Sequence, residues 1–296
     1  MEKVDENRGG ETVEYKMDDE IILEVDHLKK YYGLISRKTV LSDISFKIPK
    51  GKCVSIIGKN GEGKSTIIKI VCGIIPMSSG KIHIKGRFSY VPEVSTSFKN
   101  LSAIDNLKYY HDVSETGTEL SYFLNKFNLN DSKTPLKGFS KGMKRKVDLV
   151  RGIAADSDLL IMDEPFDGLD PAMSMELIEI IKEQTGKGIS VLLTSHDMSY
   201  IEKISDYVYF LSKGQLKKIE GWNKGLVITI QGDTDKTGSL FDNALIMERK
   251  EGIVKLKCDK SNINDVMKII IANNFKIMEQ EFSNLESIFL QEVKNE

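Results

Sequence analysis

The segment "GKNGEGKST", from Gly58 to Thr66, restricts the fold of this chain more than any other feature of the sequence. The apolar run "CVSIIG" leads into it, and "TIIKIVCGI", which has the length and spacing of an amphipathic helix, overlaps its end. The pattern G-x-x-x-x-G-K-[ST] between a buried strand and a helix is typical of a loop that binds nucleotide phosphates. Its glycines allow a tight turn, so that successive N–H groups and the positive end of the helix point at the anion. The sequence therefore predicts an α/β protein with a phosphate-binding loop.

Two side chains of this loop have predicted chemical roles. Lys64 would reach the β- and γ-phosphates of the nucleotide, as a binding and catalytic residue, and the Ser65 hydroxyl would bind Mg²⁺. The other loop residues expected around the phosphates are Gly58, Asn60, Gly61, Gly63 and Thr66. A nucleoside triphosphate and Mg²⁺ are therefore the cofactors that this loop predicts.

Two later apolar runs, "DLLIMDEP" and "ISVLLTSHD", end abruptly in polar residues. Parallel strands of an α/β sheet have this character, with the chemistry at their carboxyl ends. In the first run, Asp163 is predicted to bind the metal, usually through water, and Glu164 to act as general base toward the attacking water.

The pattern of apolar, polar and charged residues changes along the chain. Residues 95–155 show helical periodicity and few strand signals, which predicts a helical subdomain inserted into the α/β core. Residues 222–296 read as strands and helices of a small α+β domain, whose last helix opens with the capping box Ser283-x-x-Glu286. Residues 1–20 carry eight acidic and three basic residues and no apolar run, so we expect a solvated, mobile tail and no signal peptide.

Charge and cysteine content restrict the binding partners and the redox compartment expected for this chain. Lys and Arg together number 42, against 44 Asp and Glu, so the net charge of -2 gives no general attraction to nucleic acid. Three cysteines, far apart and among apolar neighbours, favour core positions in a reducing compartment over disulfides or a metal site. No apolar run approaches the roughly 20 residues that span a bilayer. Any work at a membrane would therefore require another chain.

With these motifs in place, residues 21–221 resemble the nucleotide-binding subunit of an ATP-binding cassette (ABC) transporter. "FSKGM" occupies the place of the family signature L-S-G-G-Q, "GLD" matches the D-loop, "TSHD" contains the switch histidine, and "YYG" provides the aromatic ring that stacks on adenine. The resemblance implies a P-loop NTPase cassette with a mixed sheet core, an inserted helical subdomain and a small C-terminal α+β domain. It also implies that Ser140, Gly142, Asp170 and Tyr32 contact ATP and that His196 contacts the γ-phosphate as a catalytic residue.

The chain departs from the family pattern at two places. The signature has Phe139, Lys141 and Met143 where the family prefers Leu, Gly and Gln. "YVPEV" puts Glu93 at the position of the Q-loop glutamine, as in some exporter-like branches. Glu93 is therefore expected to contact the nucleotide and the metal, where its extra carboxylate would alter metal affinity.

The resemblance implies an ATP-hydrolysing subunit that energises export through a separate integral membrane permease. Two cassettes would pair head to tail, as a homodimer or a heterodimer, at the cytoplasmic face of the cell membrane, and the exporter-type branch is favoured. An ABC ATPase that regulates a membrane partner without transport is one alternative. A soluble ABC protein acting on ribosomes or nucleic acid is another, although this chain has one phosphate loop and no sustained heptads.

The basic stretch "KGFSKGMKRK" predicts the start of an amphipathic helix rather than a polyanion site. Ser140 is expected near the N-cap and Gly142 in the first turn, where free N–H groups favour an anion. Lys141 would either add charge toward a phosphate or face solvent. The residues expected on the apolar face are Met143, Val147, Val150 and Ala154, and those expected on the solvated face are Lys144, Arg145 and Lys146.

Overall fold

The computed structural model describes residues 20–33, 37–114, 120–129, 134–219, 222, 226–232, 240–241, 245–250, 252–258, 262–282 and 285–294. The tail predicted over residues 1–20 lies outside these ranges except for Glu20, and so does Ser283 of the predicted capping box.

A nine-stranded mixed sheet positions the phosphate loop, and its strand order is β4-β1-β2-β9-β8-β3-β7-β6-β5. The five strands β8, β3, β7, β6 and β5 run parallel, whereas β1 pairs antiparallel with both β2 and β4. The strands are β1 Ile21–Tyr32, β2 Lys38–Pro49, β3 Cys53–Ile57, β4 Ser79–Ile84, β5 Phe88–Val91, β6 Leu159–Asp163, β7 Ser190–Ser195, β8 Tyr207–Ser212 and β9 Gln215–Ile219. Every residue of β3, β6 and β7 is buried, because helices cover both faces of the parallel part.

Within the described ranges, six helices lie between the strands of this sheet along the chain. They are α1 Lys64–Val71, α2 Ala103–Ser114, α3 Leu120–Lys126, α4 Lys141–Ile153, α5 Pro171–Gly186 and α6 Met198–Ile204. The stretch with helical periodicity forms α2, α3, a 3₁₀ turn at Leu136–Gly138 and α4, between β5 and β6. The predicted α/β fold with an inserted helical segment is confirmed.

A second, four-stranded antiparallel sheet follows, with strand order β11-β12-β10-β13. Its strands are β10 Leu226–Gln231, β11 Leu245–Lys250, β12 Ile253–Cys258 and β13 Lys276–Phe282, and α7 spans Ile263–Ala272. Val266 and Ile270 of α7 pack with the inward-facing residues of β10 and β12 in a separate apolar cluster. Alternating burial along β10 and β12 matches the predicted strands.

The last helix, α8 Leu285–Lys294, packs against the large sheet. Leu285 is fully buried in the same apolar cluster as the parallel strands. The rings of Phe289 and of Phe210 in β8 pack edge to face, with their centroids 5.2 Å apart. The Leu285 N–H donates to the Glu202 carboxylate in α6. Trp222 is buried in this cluster too, so residues that precede and residues that follow the second sheet in the chain pack on the core of the large sheet. The domain boundary at residues 221 and 222 stays a prediction.

Across the described ranges, no helix combines the length and the apolar character needed to cross a bilayer.

Leu285→Ala should lower the free energy of unfolding by about 2 to 5 kcal/mol, because it leaves a cavity in the core of the large sheet. The chain's single tryptophan, Trp222, lies in the same cluster and reports its unfolding by fluorescence in a urea titration. The control Leu290→Ala removes a side chain that is 50% exposed on the same helix and should change stability by less than about 0.5 kcal/mol. Equal midpoints for the two variants would contradict the packing of α8 on this core.

Candidate functional site

The loops at the carboxyl ends of β3, β6 and β7 meet around one open cavity of about 400 Å³. Its lining brings together residues that are far apart in the chain, as expected for parallel strands that end at one edge of a sheet. The lining residues are Asn60, Gly61, Gly63, Lys64, Ser65, Thr66, Glu93, Glu164, Asp167 and His196. All except Asp167 were predicted from the sequence as site residues.

The phosphate loop forms the floor of this cavity. Gly63 has φ 109, in a region that disfavours residues with a side chain, and it is the N-cap of α1. The N-terminus of α1 therefore points at the cavity with its free N–H groups, as anion binding requires. The buried Lys64 ammonium donates to the carbonyl oxygens of Gly58 (2.8 Å) and Lys59 (3.4 Å) and lies 3.5 Å from Glu164 Oε1.

Asp163 lies behind the cavity lining, at the end of β6, and is 1% exposed. Its Oδ1 accepts hydrogen bonds from the Ser65 hydroxyl (3.1 Å) and the Thr194 hydroxyl (2.6 Å). Its Oδ2 is buried and has no hydrogen-bond partner in the described part of the chain. A buried carboxylate oxygen with unused acceptor capacity beside a hydroxyl is a donor set that suits Mg²⁺ together with phosphate oxygens and water. The described residues contain no cluster of three or more His, Cys, Asp or Glu that would hold a metal without the nucleotide.

Glu164 presents its carboxylate to the cavity from a turn with unusual backbone geometry. Its φ of 46 lies in the left-handed region, and its N–H donates to Thr194 Oγ1 at 3.0 Å. Glu164 Oε2 accepts from the His196 N–H (3.2 Å) and lies 2.9 Å from His196 Nδ1. The Glu164 side chain is 11% exposed and lies between the Lys64 ammonium and the His196 ring. These three predicted catalytic residues therefore form one contiguous group.

The signature residues lie outside this cavity. Ser140 is the N-cap of α4, and its side chain accepts from the Met143 N–H at 3.2 Å, which confirms the predicted start of the helix. A Cβ atom at Gly142 would lie 2.7 Å from the Gly168 carbonyl oxygen, so only glycine fits there. Within this chain, Gly142 is therefore required by the close approach of α4 to the loop before α5.

Lys141 is largely exposed to solvent, which is one of the two roles that the sequence left open. Its ammonium donates to Asp167 Oδ2 at 2.8 Å, and this hydrogen bond lowers the pKa of Asp167 below its usual value. The pair is largely exposed, so it contributes little to stability. Its effect is to connect the N-terminus of α4 to a residue of the cavity lining.

Three further predicted nucleotide contacts, Gly58, Tyr32 and Asp170, also lie outside the cavity lining. Tyr32, at the end of β1, is 46% exposed, and the Lys30 ammonium lies 4.6 Å from its ring centroid. Asp170 is the N-cap of α5, where its carboxylate accepts from the Met173 N–H at 2.9 Å. The roles of Tyr32 and Asp170 toward ATP stay predictions.

Two assignments on α4 were wrong. Arg145, expected on a solvated face, is 5% exposed, and Met143, expected on the apolar face, is 42% exposed. Arg145 is buried because its guanidinium finds four carbonyl acceptors beneath the helix, which makes an otherwise costly burial tolerable. Val147, Val150 and Ala154 are buried as predicted.

Sequence reasoning missed three residues of the site. Thr194 lies one residue before the end of β7, and the "TSH" spacing from His196 was the available signal. Asp167 follows Glu164 by three residues, in the same "DEPFDGLD" segment. Arg145 gave no signal of its own, because a basic residue beside Lys144 and Lys146 is indistinguishable from a surface residue by composition.

The fold and the cavity define a nucleotide-binding P-loop protein of the ABC cassette type. The family model for ABC transporters matches residues 41–167. The lantibiotic transport ATP-binding protein SrtF of Streptococcus pyogenes is 34% identical over 245 residues, which are 77% of this chain and 100% of that protein. The linearmycin resistance ATP-binding protein LnrL of Bacillus subtilis is 30% identical over 231 residues, 72% of this chain and 73% of that protein. The chain thus belongs to the ABC transporter family, as an ATP-binding protein with ATPase chemistry.

Solved structures agree with this assignment. An ATP-binding subunit of an ABC transporter superposes with a TM-score of 0.61 at 31% identity, covering 67% of this chain and 90% of the other. A dimeric ATP-binding cassette in a post-hydrolysis state with ADP and Pi also gives a TM-score of 0.61, at 18% identity, over 67% of this chain and 99% of the other. The second likeness concerns the fold alone.

Gly142→Ala should destabilise the protein by about 1 to 3 kcal/mol, because the added methyl group must displace the Gly168 backbone. Urea unfolding would measure this change. Gly186→Ala is a matched control near the end of α5, where a Cβ meets no atom within 4 Å and alanine should be neutral or stabilising by up to about 1 kcal/mol. If Gly142→Ala were as stable as the wild type, the close approach of α4 to residue 168 would be wrong.

Proposed function

We propose that this chain is the ATP-hydrolysing subunit of an exporter whose membrane-spanning part is a separate permease. The observation that supports it most is the position of Glu164, between the Lys64 ammonium of the phosphate loop and the His196 ring. A cavity with this lining suits hydrolysis of the terminal phosphate of ATP better than simple nucleotide storage. Relatives named for lantibiotic transport and linearmycin resistance support the direction of export.

In this proposal, each side chain of the site has a distinct task. Lys64 and the N–H groups at the start of α1 bind the β- and γ-phosphates. Glu164 accepts a proton from the attacking water, and His196 contacts the γ-phosphate and holds the Glu164 carboxylate in place. Mg²⁺, held by Ser65 and Asp163 with Glu93 in the cavity lining, would neutralise charge on the phosphates.

A second cassette completes the site. Ser140 and Gly142 lie outside the cavity of their own chain, at the N-terminus of α4, where free N–H groups favour an anion. We infer that they contact the ATP of a head-to-tail partner, as Asp170 does from the D-loop, while Tyr32 stacks on the adenine of its own site. ATP that binds only the closed dimer then shifts the population toward closure.

The membrane permease docks, in our proposal, on an exposed apolar patch formed by Val94, Phe98, Leu101 and Tyr109. These side chains are 37% to 76% exposed, and the Phe98 and Tyr109 rings meet edge to face at 5.2 Å. The buried Asn106 amide accepts from the Phe98 N–H (2.8 Å) and donates to its carbonyl oxygen (3.0 Å), so the patch is held in one shape. Val94 follows Glu93 in the chain, and Glu93 lines the nucleotide cavity. A helix end of the permease that binds to this patch would therefore be displaced when the dimer closes around ATP.

Glu164→Gln should bind ATP but hydrolyse it at least about 100-fold more slowly and accumulate as closed dimers, because the amide cannot accept the proton of water. ATPase assays and size-exclusion chromatography with ATP measure both effects. The control Glu179→Gln changes an exposed carboxylate of α5 and should leave both properties unchanged. Wild-type turnover in Glu164→Gln would remove Glu164 from the role of base.

Tyr109→Asp should release the protein from its membrane partner, because a carboxylate in the apolar patch would be buried without a counter-charge. Crosslinking and co-purification from detergent-solubilised membranes measure the association, while the ATPase activity of the isolated subunit should persist. Met278→Asp, at a 52% exposed position on β13, is the control. Sedimentation of the wild type with ribosomes, and with no integral membrane chain, would contradict a transport function.

A further inference from the structure

We propose that Arg145 is the positioning residue that sets the backbone of Glu164, and that it connects the signature helix of each chain to that chain's own catalytic base. The inference rests on the proposed role of Glu164 as base. Arg145 lies in the second turn of α4, after the signature segment, and is buried.

The contacts of the Arg145 guanidinium all go to one turn and to one adjoining loop. Its Nη2 donates to the carbonyl oxygens of Asp163 and Glu164, each at 2.9 Å, and its Nε donates to the Pro165 carbonyl oxygen at 3.3 Å. Its Nη1 donates to the carbonyl oxygen of Pro92, next to Glu93. One planar group thus holds three consecutive carbonyl groups, starting with the last residue of β6, and one carbonyl group after β5.

The turn that Arg145 holds has a backbone that needs support. Glu164 has φ 46, a conformation that is unfavourable for a residue with a side chain and persists only where its surroundings enforce it. The Glu164 N–H donates to Thr194 Oγ1, and its carbonyl oxygen accepts from Arg145 and from the Asp167 N–H (3.1 Å), so the peptide groups on both sides of Glu164 are fixed. Of these hydrogen bonds, the one from Arg145 connects the Glu164 turn to α4.

Nearby carboxylates partly offset the cost of burying the positive charge of Arg145. Burial lowers the pKa of its guanidinium, and the carboxylates of Asp148 and Asp163 act in the opposite direction. Asp148 is fully buried, accepts from the Ser97 hydroxyl at 2.8 Å and lies 3.5 Å from Arg151. The guanidinium carries five N–H donors on three nitrogen atoms and so reaches four separate carbonyl oxygens, whereas lysine has three donors on one nitrogen atom.

Because Ser140 and Arg145 belong to one rigid helix, a displacement of the helix start is transmitted to the guanidinium. The guanidinium in turn contacts both the Glu164 turn and the loop that contains Glu93. Contact of the signature residues with a nucleotide would therefore adjust the base in the same chain. Arg145 is thus a positioning residue that links the two nucleotide sites of a dimer.

The test is a double-mutant cycle with Arg145→Met and Glu164→Gln. Arg145→Met should lower kcat at least about 10-fold, because the base is misplaced, and leave the KM for ATP within about 3-fold. The double variant should be no slower than Glu164→Gln alone, because without the base there is nothing to position. Arg145→Lys should fall between Arg145→Met and the wild type, and Lys146→Met, on the same helix, should match the wild type.

Each outcome decides one point. Wild-type kcat in Arg145→Met, or a double variant slowed further by the full factor of Arg145→Met, would overturn the inference about Arg145 while leaving Glu164 as base. Wild-type turnover in Glu164→Gln alone would instead refute the proposed base. If Arg145→Met does not fold, Arg145→Lys takes its place in the same cycle, with the same two results required.

Discussion

The contact between Asp163, Ser65 and Thr194 is the interaction on which the rest of the site depends. It joins the start of α1 to the ends of β6 and β7 within one buried hydrogen-bonded group. Thr194 also accepts from the Glu164 N–H, so the residue that is expected to bind the metal and the residue that is expected to take the proton share one hydroxyl. An error in the register of β6 against β7 would separate all of them, because a shift of one residue turns each side chain to the opposite face.

Around this group, the structure uses backbone geometry that few sequences tolerate. Gly63 and Glu164 both have positive φ, and Gly142 touches the Gly168 carbonyl. Such positions accumulate where a binding site must be held open, since strain is retained only when the surroundings fix it. The buried β3, β6 and β7 provide that rigidity, so the open cavity lies on a tightly packed support.

Hydrophobic periodicity predicts the helices and strands of the C-terminal segment, but not the surface on which each of them packs. The pattern predicted the strands and helices of this segment, and the structure contains them. It did not predict that Leu285 would be buried in the core of the large sheet, because an amphipathic helix presents an apolar face without indicating which surface will cover it. Only long-range contacts, such as that between Phe289 and Phe210, decide where α8 lies.

The sequence by itself determined the strand, the glycine loop and the helix around Lys64. It also determined the acidic pair at the end of β6 and the helix start at Ser140. These features depend on local spacing and on steric rules for glycine, which the order of residues contains directly. The tertiary structure decided that Arg145 is buried, that Lys141 pairs with Asp167 and that Thr194 links the two acidic residues. The physical reason is that a charged or polar side chain becomes buried only where distant parts of the chain supply its hydrogen-bond partners, and that supply is fixed by the packing of the whole molecule.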